Sequence, residues 1–216
     1  MYKLTRGVLV SVEGIDGSGK STLTRTLAER LSQSLPTLLT KEPGDTPLGQ
    51  QIRTLVQEKK VAICPKAEYL LFAADRAQHF DQVIIPALKK NILVISDRLA
   101  DSSLAYQGFG RGLDCTMINT INTWAMNERY PDVTLYIKVS PDVAYERIIK
   151  RQEALTSFEQ EKKTFMLNVL KGFESIFKER SNVLYISGEQ NPEDVLQDAH
   201  TQLIQWLITH YFLSTL

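Results

Sequence analysis

Short apolar, β-branched runs alternate along the chain with longer segments of helical period. The runs Val8–Val12, Leu38–Thr40, Ile92–Ser96, Thr134–Val139 and Val183–Ile186 include several nearly continuous in apolar residues, the pattern of strands covered on both faces. Between them, Lys20–Ser34, Leu48–Glu58, Lys66–Lys89, Thr116–Arg129, Asp142–Arg151, Glu159–Arg180 and Glu193–Phe212 are long enough for helices. Thr46-Pro47, Ser140-Pro141 and Asn191-Pro192 each set a capping side chain before a proline suited to the first helical position. This alternation predicts an α/β fold, a roughly five-stranded parallel sheet with helices on both faces. No linker rich in proline, glycine or serine and no repeat divides the chain, so one domain is expected over residues 1–216. Two segments fit the period poorly: Tyr106–Asp114, with three glycines, and Lys150–Glu161, polar within helical sequence. Loops of that kind often carry function.

Composition narrows the reading further. A chain of 216 residues buries about 70% of its unfolded surface and needs neither disulfides nor a structural metal to fold. Its 25 basic and 25 acidic residues balance to zero, which argues against attachment to nucleic acid through general basicity. Hydrophobic residues at 43% and charged ones at 23% exclude wholesale disorder. Cys64, Cys115 and the three histidines lack metal-ligand spacing, and two cysteines suit a reducing compartment. Met1–Gly7 lacks the apolar core of a signal peptide, and no uncharged apolar stretch approaches the roughly 20 residues of a bilayer span. The apolar tail Leu203–Leu216 is broken by Gln205, Thr209, His210 and Ser214; a docked C-terminal helix is the plainer reading, a membrane or partner helix the other. A soluble cytoplasmic protein is expected.

The strongest local signal is Gly14-Ile15-Asp16-Gly17-Ser18-Gly19-Lys20-Ser21, a full match to G-x-x-x-x-G-K-[ST] between a buried-type strand and a helix. Glycines let successive N–H groups turn inward onto phosphate oxygens, and the following helix adds its positive end. Lys20 would supply charge to the β- and γ-phosphates, and the Ser21 hydroxyl would be a magnesium ligand. The loop alone leaves motors, switch GTPases, transporter ATPases and small-molecule kinases open. Asp16 within it would accept a hydrogen bond from an acceptor hydroxyl, orient a magnesium-bound water, or merely cap the turn.

A second cluster, Asp97-Arg98, follows the apolar run Ile92–Ser96 and so falls at the rim where open α/β sheets bind ligands. Asp97 would act on magnesium or its waters and Arg98 would hold a phosphate with its planar fork; a surface ion pair is the alternative. The Asn-Lys-x-Asp element by which a switch GTPase reads its base is absent from the sequence.

Taken together, Glu13-Gly14-Ile15-Asp16-Gly17-Ser18-Gly19-Lys20-Ser21, Lys41-Glu42-Pro43-Gly44, Leu71-Phe72-Ala73-Ala74-Asp75-Arg76-Ala77-Gln78 and Asp97-Arg98 running on to Ser102-Ser103-Leu104-Ala105-Tyr106-Gln107-Gly108 resemble bacterial thymidylate kinases over nearly the whole chain. These are P-loop enzymes that move the γ-phosphoryl group of ATP onto dTMP. The resemblance implies a P-loop kinase three-layer sandwich with a short lid at about 147–161, Mg2+ as cofactor, ATP and dTMP as partners, and a homodimer; it implies neither nucleic acid nor membrane as a partner. It assigns the ATP phosphates to Gly14, Ile15, Asp16, Gly17, Ser18, Gly19, Lys20, Ser21 and Thr22, and the metal to Ser21 and Asp97. In the dTMP site, Phe72 would stack on thymine, Arg76 would donate to its carbonyl and Ser103 would read the base edge. Tyr106 would pack near the sugar 2′ carbon, Arg98 and Arg53 would hold the acceptor phosphate, and Glu42 and Gln107 would complete the site.

Some positions depart from the family pattern. Gly17 stands where the loop can hold an arginine, and Thr156-Ser157 stand where the lid usually carries Asp-Arg. Arg147 and Arg151 remain, four apart and so on one helical face, which makes Arg151 the expected lid cation beside the catalytic Asp16, Lys20 and Arg98, a solvated basic face being the alternative. Lys41 replaces a usual arginine and Asp45 a usual glycine. Two rivals stay open at this stage: a related P-loop enzyme with another acceptor, and a nucleotide-binding regulator without turnover.

Overall fold

In the computed structural model, residues 2–58, 61–151, 155–210 and 212–215 are described. Strand β2 (Val8–Glu13), buried at every position, lies at the centre of a parallel sheet. With β3 (Thr37–Lys41), β4 (Leu93–Asp97), β5 (Val133–Lys138) and β6 (Val183–Ser187) it forms the order β3-β4-β2-β5-β6. Alternation along β2 decides which layer each residue serves. Val8, Val10 and Val12 pack with Leu23, Leu27 and Leu31 of α1 (Lys20–Ser32) and with Leu203 of α9 (Pro192–Thr209). Leu9 points the other way, into a cluster with Phe80, Ile84 and Leu99. Helices therefore cover both faces, and the strands read as apolar runs because neither face meets water.

The remaining helices are α2 (Pro47–Gln57), α3 (Pro65–His79), α4 (Ile85–Lys89), α5 (Ala100–Ser103), α6 (Cys115–Ala125), α7 (Pro141–Lys150) and α8 (Lys163–Phe177). Thr46 accepts from the Gly49 N–H and Asn191 from those of Glu193 and Asp194, the caps expected before their prolines; Ser140 makes no such side-chain cap.

Where the helices differ from the sequence pattern, packing explains it. Lys66–Lys89 is helical throughout but passes through a wide turn at Phe80–Ile84, just ahead of Pro86, which cannot donate to the preceding turn. Tyr106–Asp114, read as a loop for its glycines, is helical as far as Gly110, because α5 runs on into a second wide turn, Leu104–Gly110. There glycine serves close approach: a Cβ on Gly108 would lie 2.7 Å from Cys115 Sγ, and one on Gly110 2.6 Å from the Phe165 ring. Helix α8 begins at Lys163 and not at Glu159, and α6 stops at Ala125, short of Asn127 and Glu128, whose φ angles are 50° and 58°. The tail is helical only to Thr209. Phe212 then turns into the core, stacks on Trp206, and is followed by β7 (Leu213–Thr215), antiparallel to β1 (Tyr2–Leu4). No helix among the described residues is long and apolar enough to cross a membrane.

Register brings three loops to one edge. Val12 lies opposite Asp97 in the β2–β4 pair, and Lys41 lies opposite Asp97 in the β3–β4 pair. The carboxyl ends of β2, β3 and β4 therefore open side by side, with β5 on the far side of β2, where strand order reverses.

Candidate active site

The loop after β2 is a strand-to-helix turn that only its glycines can follow. Gly14, Gly17 and Gly19 take φ of 151°, 80° and 93°, and a Cβ on Gly17 would lie 2.3 Å from the Ala144 carbonyl oxygen. Gly14, Ile15 and Ser18 form the buried inner layer, while Asp16, Gly17, Gly19, Lys20, Ser21 and Thr22 line a cavity of about 890 Å3. Lys20 Nζ donates to the Ile15 carbonyl at 2.7 Å. Burial, then the like charge of Arg98, pulls Lys20 down to about 8, against the carboxylates of Asp16, Asp97 and Glu13.

Arg98 is the hub of the site. Its φ of 72° is unusual for a side chain with a Cβ, and the backbone is pinned on both sides. The Arg98 N–H donates to Val12 O at 3.0 Å, Ser96 Oγ donates to Arg98 O at 2.7 Å, and the Leu99 N–H donates to Glu13 Oε1 at 2.8 Å. From there Nη1 reaches Gly14 O at 3.1 Å and Ser102 Oγ at 2.8 Å, while Nη2 donates to Asp16 Oδ1 and to the Tyr106 hydroxyl at 3.2 Å. That hydroxyl donates to Asp16 Oδ2 at 3.0 Å. Burial pushes Asp16 up, but Arg98 and then Lys20 outweigh it and hold the carboxyl below its usual range. Asp16 is thus an ionised side chain aimed by two partners.

Ser21 Oγ donates to Asp97 Oδ2 at 2.6 Å, so a hydroxyl and a carboxylate stand together at the loop's edge. Two hard oxygens there suit magnesium, which keeps several waters and takes the rest of its shell from substrate phosphates. No cluster of three or more His, Cys, Asp or Glu able to hold a metal occurs among the described residues, so the protein offers an edge and no cage.

The other end of the cavity is lined by Glu42, Arg53, Phe72, Arg76, Ser103, Tyr106 and Gln107. Glu42 precedes a cis peptide bond to Pro43, and Arg53 Nη1 donates to Pro43 O at 2.9 Å. Arg76 donates through Nη1 to Asn122 Oδ1 at 2.7 Å and through Nη2 to Ser103 Oγ at 3.1 Å. Nη2 also lies 2.9 Å from Glu42 Oε2, an ion pair without hydrogen-bond alignment, and Arg76 Nε has no hydrogen-bond partner. Ser103 therefore serves Arg76 here, and Gln107 Nε2 donates to Glu68 Oε1 at 3.0 Å.

Of the lid, Gln152, Glu153 and Ala154 lie outside the described residues. Arg151 lines the cavity and donates to both Glu159 carboxylate oxygens, at 3.0 and 3.1 Å. Ser157, at the position usual for an arginine, is buried and donates to Val56 O at the end of α2 at 2.7 Å.

Three residues given no role from sequence join this arrangement. Phe158 sets its ring 6.0 Å from Phe72 and 5.7 Å from Tyr106. Asn122 anchors Arg76, and Glu13 accepts from Ser11, Leu99 and Ser102. Burial, then Asp101, pushes Glu13 up to about 7. Glu13 could have been suspected, since a carboxylate ends a strand whose neighbours are apolar; Asn122 and Phe158 carry no local signal.

The comparisons with known proteins agree with one another. A family model described as thymidylate kinase matches residues 12–199. A thymidylate kinase of Carboxydothermus hydrogenoformans is 39% identical over 191 residues, covering 88% of this chain and 93% of that protein. A thymidylate kinase of Staphylococcus haemolyticus is 34% identical over 199 residues, covering 92% of this chain and 98% of that protein.

Proposed function

The chain belongs to the thymidylate kinase family, and from that premise we propose how its own residues move the γ-phosphoryl group of ATP onto dTMP, giving dTDP and ADP. Phosphoryl transfer asks little covalent work of a protein; the rate comes from in-line alignment and from neutralising charge on the transferred group. The N–H groups of the Gly14–Thr22 loop and Lys20 bind the donor phosphates, and Arg98 reaches the transferred group and the acceptor phosphate. Asp16, held ionised by Arg98, helps place the acceptor. Ser21 and Asp97 would hold Mg2+, which supplies charge neutralisation on the β- and γ-phosphoryl oxygens. Phe72 stacks on the base, Arg76 and Ser103 read its edge, and Tyr106 packs against the sugar, with Glu42, Arg53 and Gln107 closing the acceptor site and Arg151 closing over ATP.

One observation carries the reading: Arg98 is bonded at once to Gly14 and Asp16 of the phosphate loop and to Tyr106 of the acceptor half. The test is steady-state phosphorylation across dTMP, dUMP, dCMP, dGMP and thymidine with Mg2+ and ATP. dTMP is expected to be the preferred acceptor; folded protein that forms no dTDP would refute the reading.

A homodimer and a cytoplasmic location complete the proposal. Leu70 of α3 and Met117 and Trp124 of α6, two helices packed together, are exposed by 55%, 58% and 79%, apolar surface that a second copy would cover. Sedimentation equilibrium tests this, a monomer at micromolar concentration being the contrary outcome.

A further inference from the structure

His79 takes no part in the mechanism above, yet it is wholly buried at the end of α3, behind the acceptor half of the cavity. Its Nδ1 lies 3.0 Å from Glu42 Oε1 and its Nε2 2.6 Å from Thr40 Oγ1. Counting protons along this chain of contacts decides their direction. Glu42 is ion-paired with Arg76 at 2.9 Å, so its other oxygen accepts and Nδ1 must donate. Thr40 has a single hydroxyl proton, and Asp45 Oδ2 stands 2.6 Å from that oxygen. Thr40 donates that proton to Asp45 and turns a lone pair to the imidazole. Nε2 must then donate as well. An imidazole that donates from both nitrogens is an imidazolium.

The surrounding charges close on this assignment. The groups facing His79 are Glu42 and Asp45 from the turn after β3, and Asp75 and Arg76 from α3 itself. Two cations, Arg76 and His79, answer two carboxylates, Glu42 and Asp45. A third carboxyl, Asp75, is buried with Oδ2 unbonded; burial, then Glu42, pushes it up to about 7, and above that pH its charge adds to the pull that favours the imidazolium.

We propose that His79 is a positively charged positioning residue that clamps Glu42 directly and Asp45 through Thr40, on either side of the Pro43-Gly44 turn. The acceptor-site carboxylate is thereby aimed by the protein's own charge before any substrate arrives. Asp45 sets the state of the network: without its oxygen the Thr40 proton can turn to Nε2, and one ring nitrogen is released from donating. The proton assignment stands on geometry alone, whereas its consequence for dTMP rests on the reading of Glu42 as an acceptor-site residue.

Nitrogen-15 NMR of the labelled full chain tests the assignment, with the His79 signals identified by their loss in His79→Gln. At a pH of about 7.5, above the ordinary histidine range, both His79 ring nitrogens are expected to carry protons, and one is expected to lose its proton in Asp45→Ala. An unprotonated His79 nitrogen in the unmutated protein overturns the proposal, as does an unchanged His79 signature in Asp45→Ala. In kinetics, both variants are expected to raise the KM for dTMP by about tenfold with kcat and the KM for ATP changed by less than about threefold. An unchanged KM for dTMP in both variants overturns the positioning role. A doubly protonated His79 in a folded chain that does not phosphorylate dTMP would leave the assignment standing and remove only the substrate reading.

Discussion

Arg98 and Asp16 are locked to one another across the mouth of the phosphate loop, Nη2 donating to Oδ1 while Nη1 holds the Gly14 carbonyl. The lock joins the strained start of one loop to the middle of another, because Arg98 reaches inward only from a φ of 72°. The register of β2 against β4 sets that distance, so the site is a consequence of the sheet's order.

Arg98→Lys keeps a positive charge but removes the fork, and one ammonium group cannot span Gly14, Ser102, Asp16 and Tyr106 together. The expected result is a fall in kcat of roughly a hundredfold, the scale of losing a charge-stabilising donor. Steady-state turnover with saturating ATP and dTMP measures it. A loss of less than about threefold would remove Arg98 from the reacting centre.

Gly17 offers a complementary test. It occupies the loop position that can hold an arginine, yet φ is 80° and a Cβ would lie 2.3 Å from Ala144 O, a backbone atom that cannot swing away. Gly17→Arg is therefore expected to weaken ATP binding by at least about tenfold, because the loop must open before any side chain fits. Isothermal titration gives the affinity directly; unchanged or tighter binding would mean that the loop yields freely to α7.

Much of this arrangement could be read in the chain because its causes are local. Gly14, Gly17 and Gly19 are glycines for backbone reasons, and Thr46 and Asn191, each directly before a proline, cap N–H groups two or three residues away. What escaped reading depends on remote partners. The glycines of Tyr106–Asp114 suggested a loop, whereas Gly108 and Gly110 make room for Cys115 and Phe165. Asn122 looks like any polar residue of a helix until Arg76, 46 positions earlier, is placed against it. The β1–β7 ribbon joins the two ends of the described chain, and three-residue strands have no period to detect.

The lid supplies a third expectation. Ser157 is docked on Val56 O and carries no charge, whereas Arg147 and Arg151 both line the cavity, and Arg151 is the cation proposed to close over ATP. Arg151→Ala is expected to lower kcat by about tenfold, roughly 1.4 kcal/mol of transition-state stabilisation. Single-turnover phosphoryl transfer separates this from product release, and a rate within about threefold of the parent would exclude Arg151 from the chemistry.

Asp75 links the Glu42–Gly44 turn to stability. Its ordinary value is 3.8, and burial, then Glu42, moves it to about 7 in the folded protein, against the Gly44 N–H, His79 and Arg76. Between those values the folded state binds more protons than the unfolded one, so this contribution is complete below about 3.8 and is lost as pH rises through about 7. Asp75→Asn keeps an oxygen for the Gly44 N–H, 3.2 Å away, and removes the buried charge. The variant is expected to melt higher than its parent at pH about 8, by about 3 °C for each kcal/mol gained, with the gap closing towards pH about 5. Thermal melts across that range check it, and parallel curves for the two proteins would show that Asp75 titrates as a solvated carboxyl.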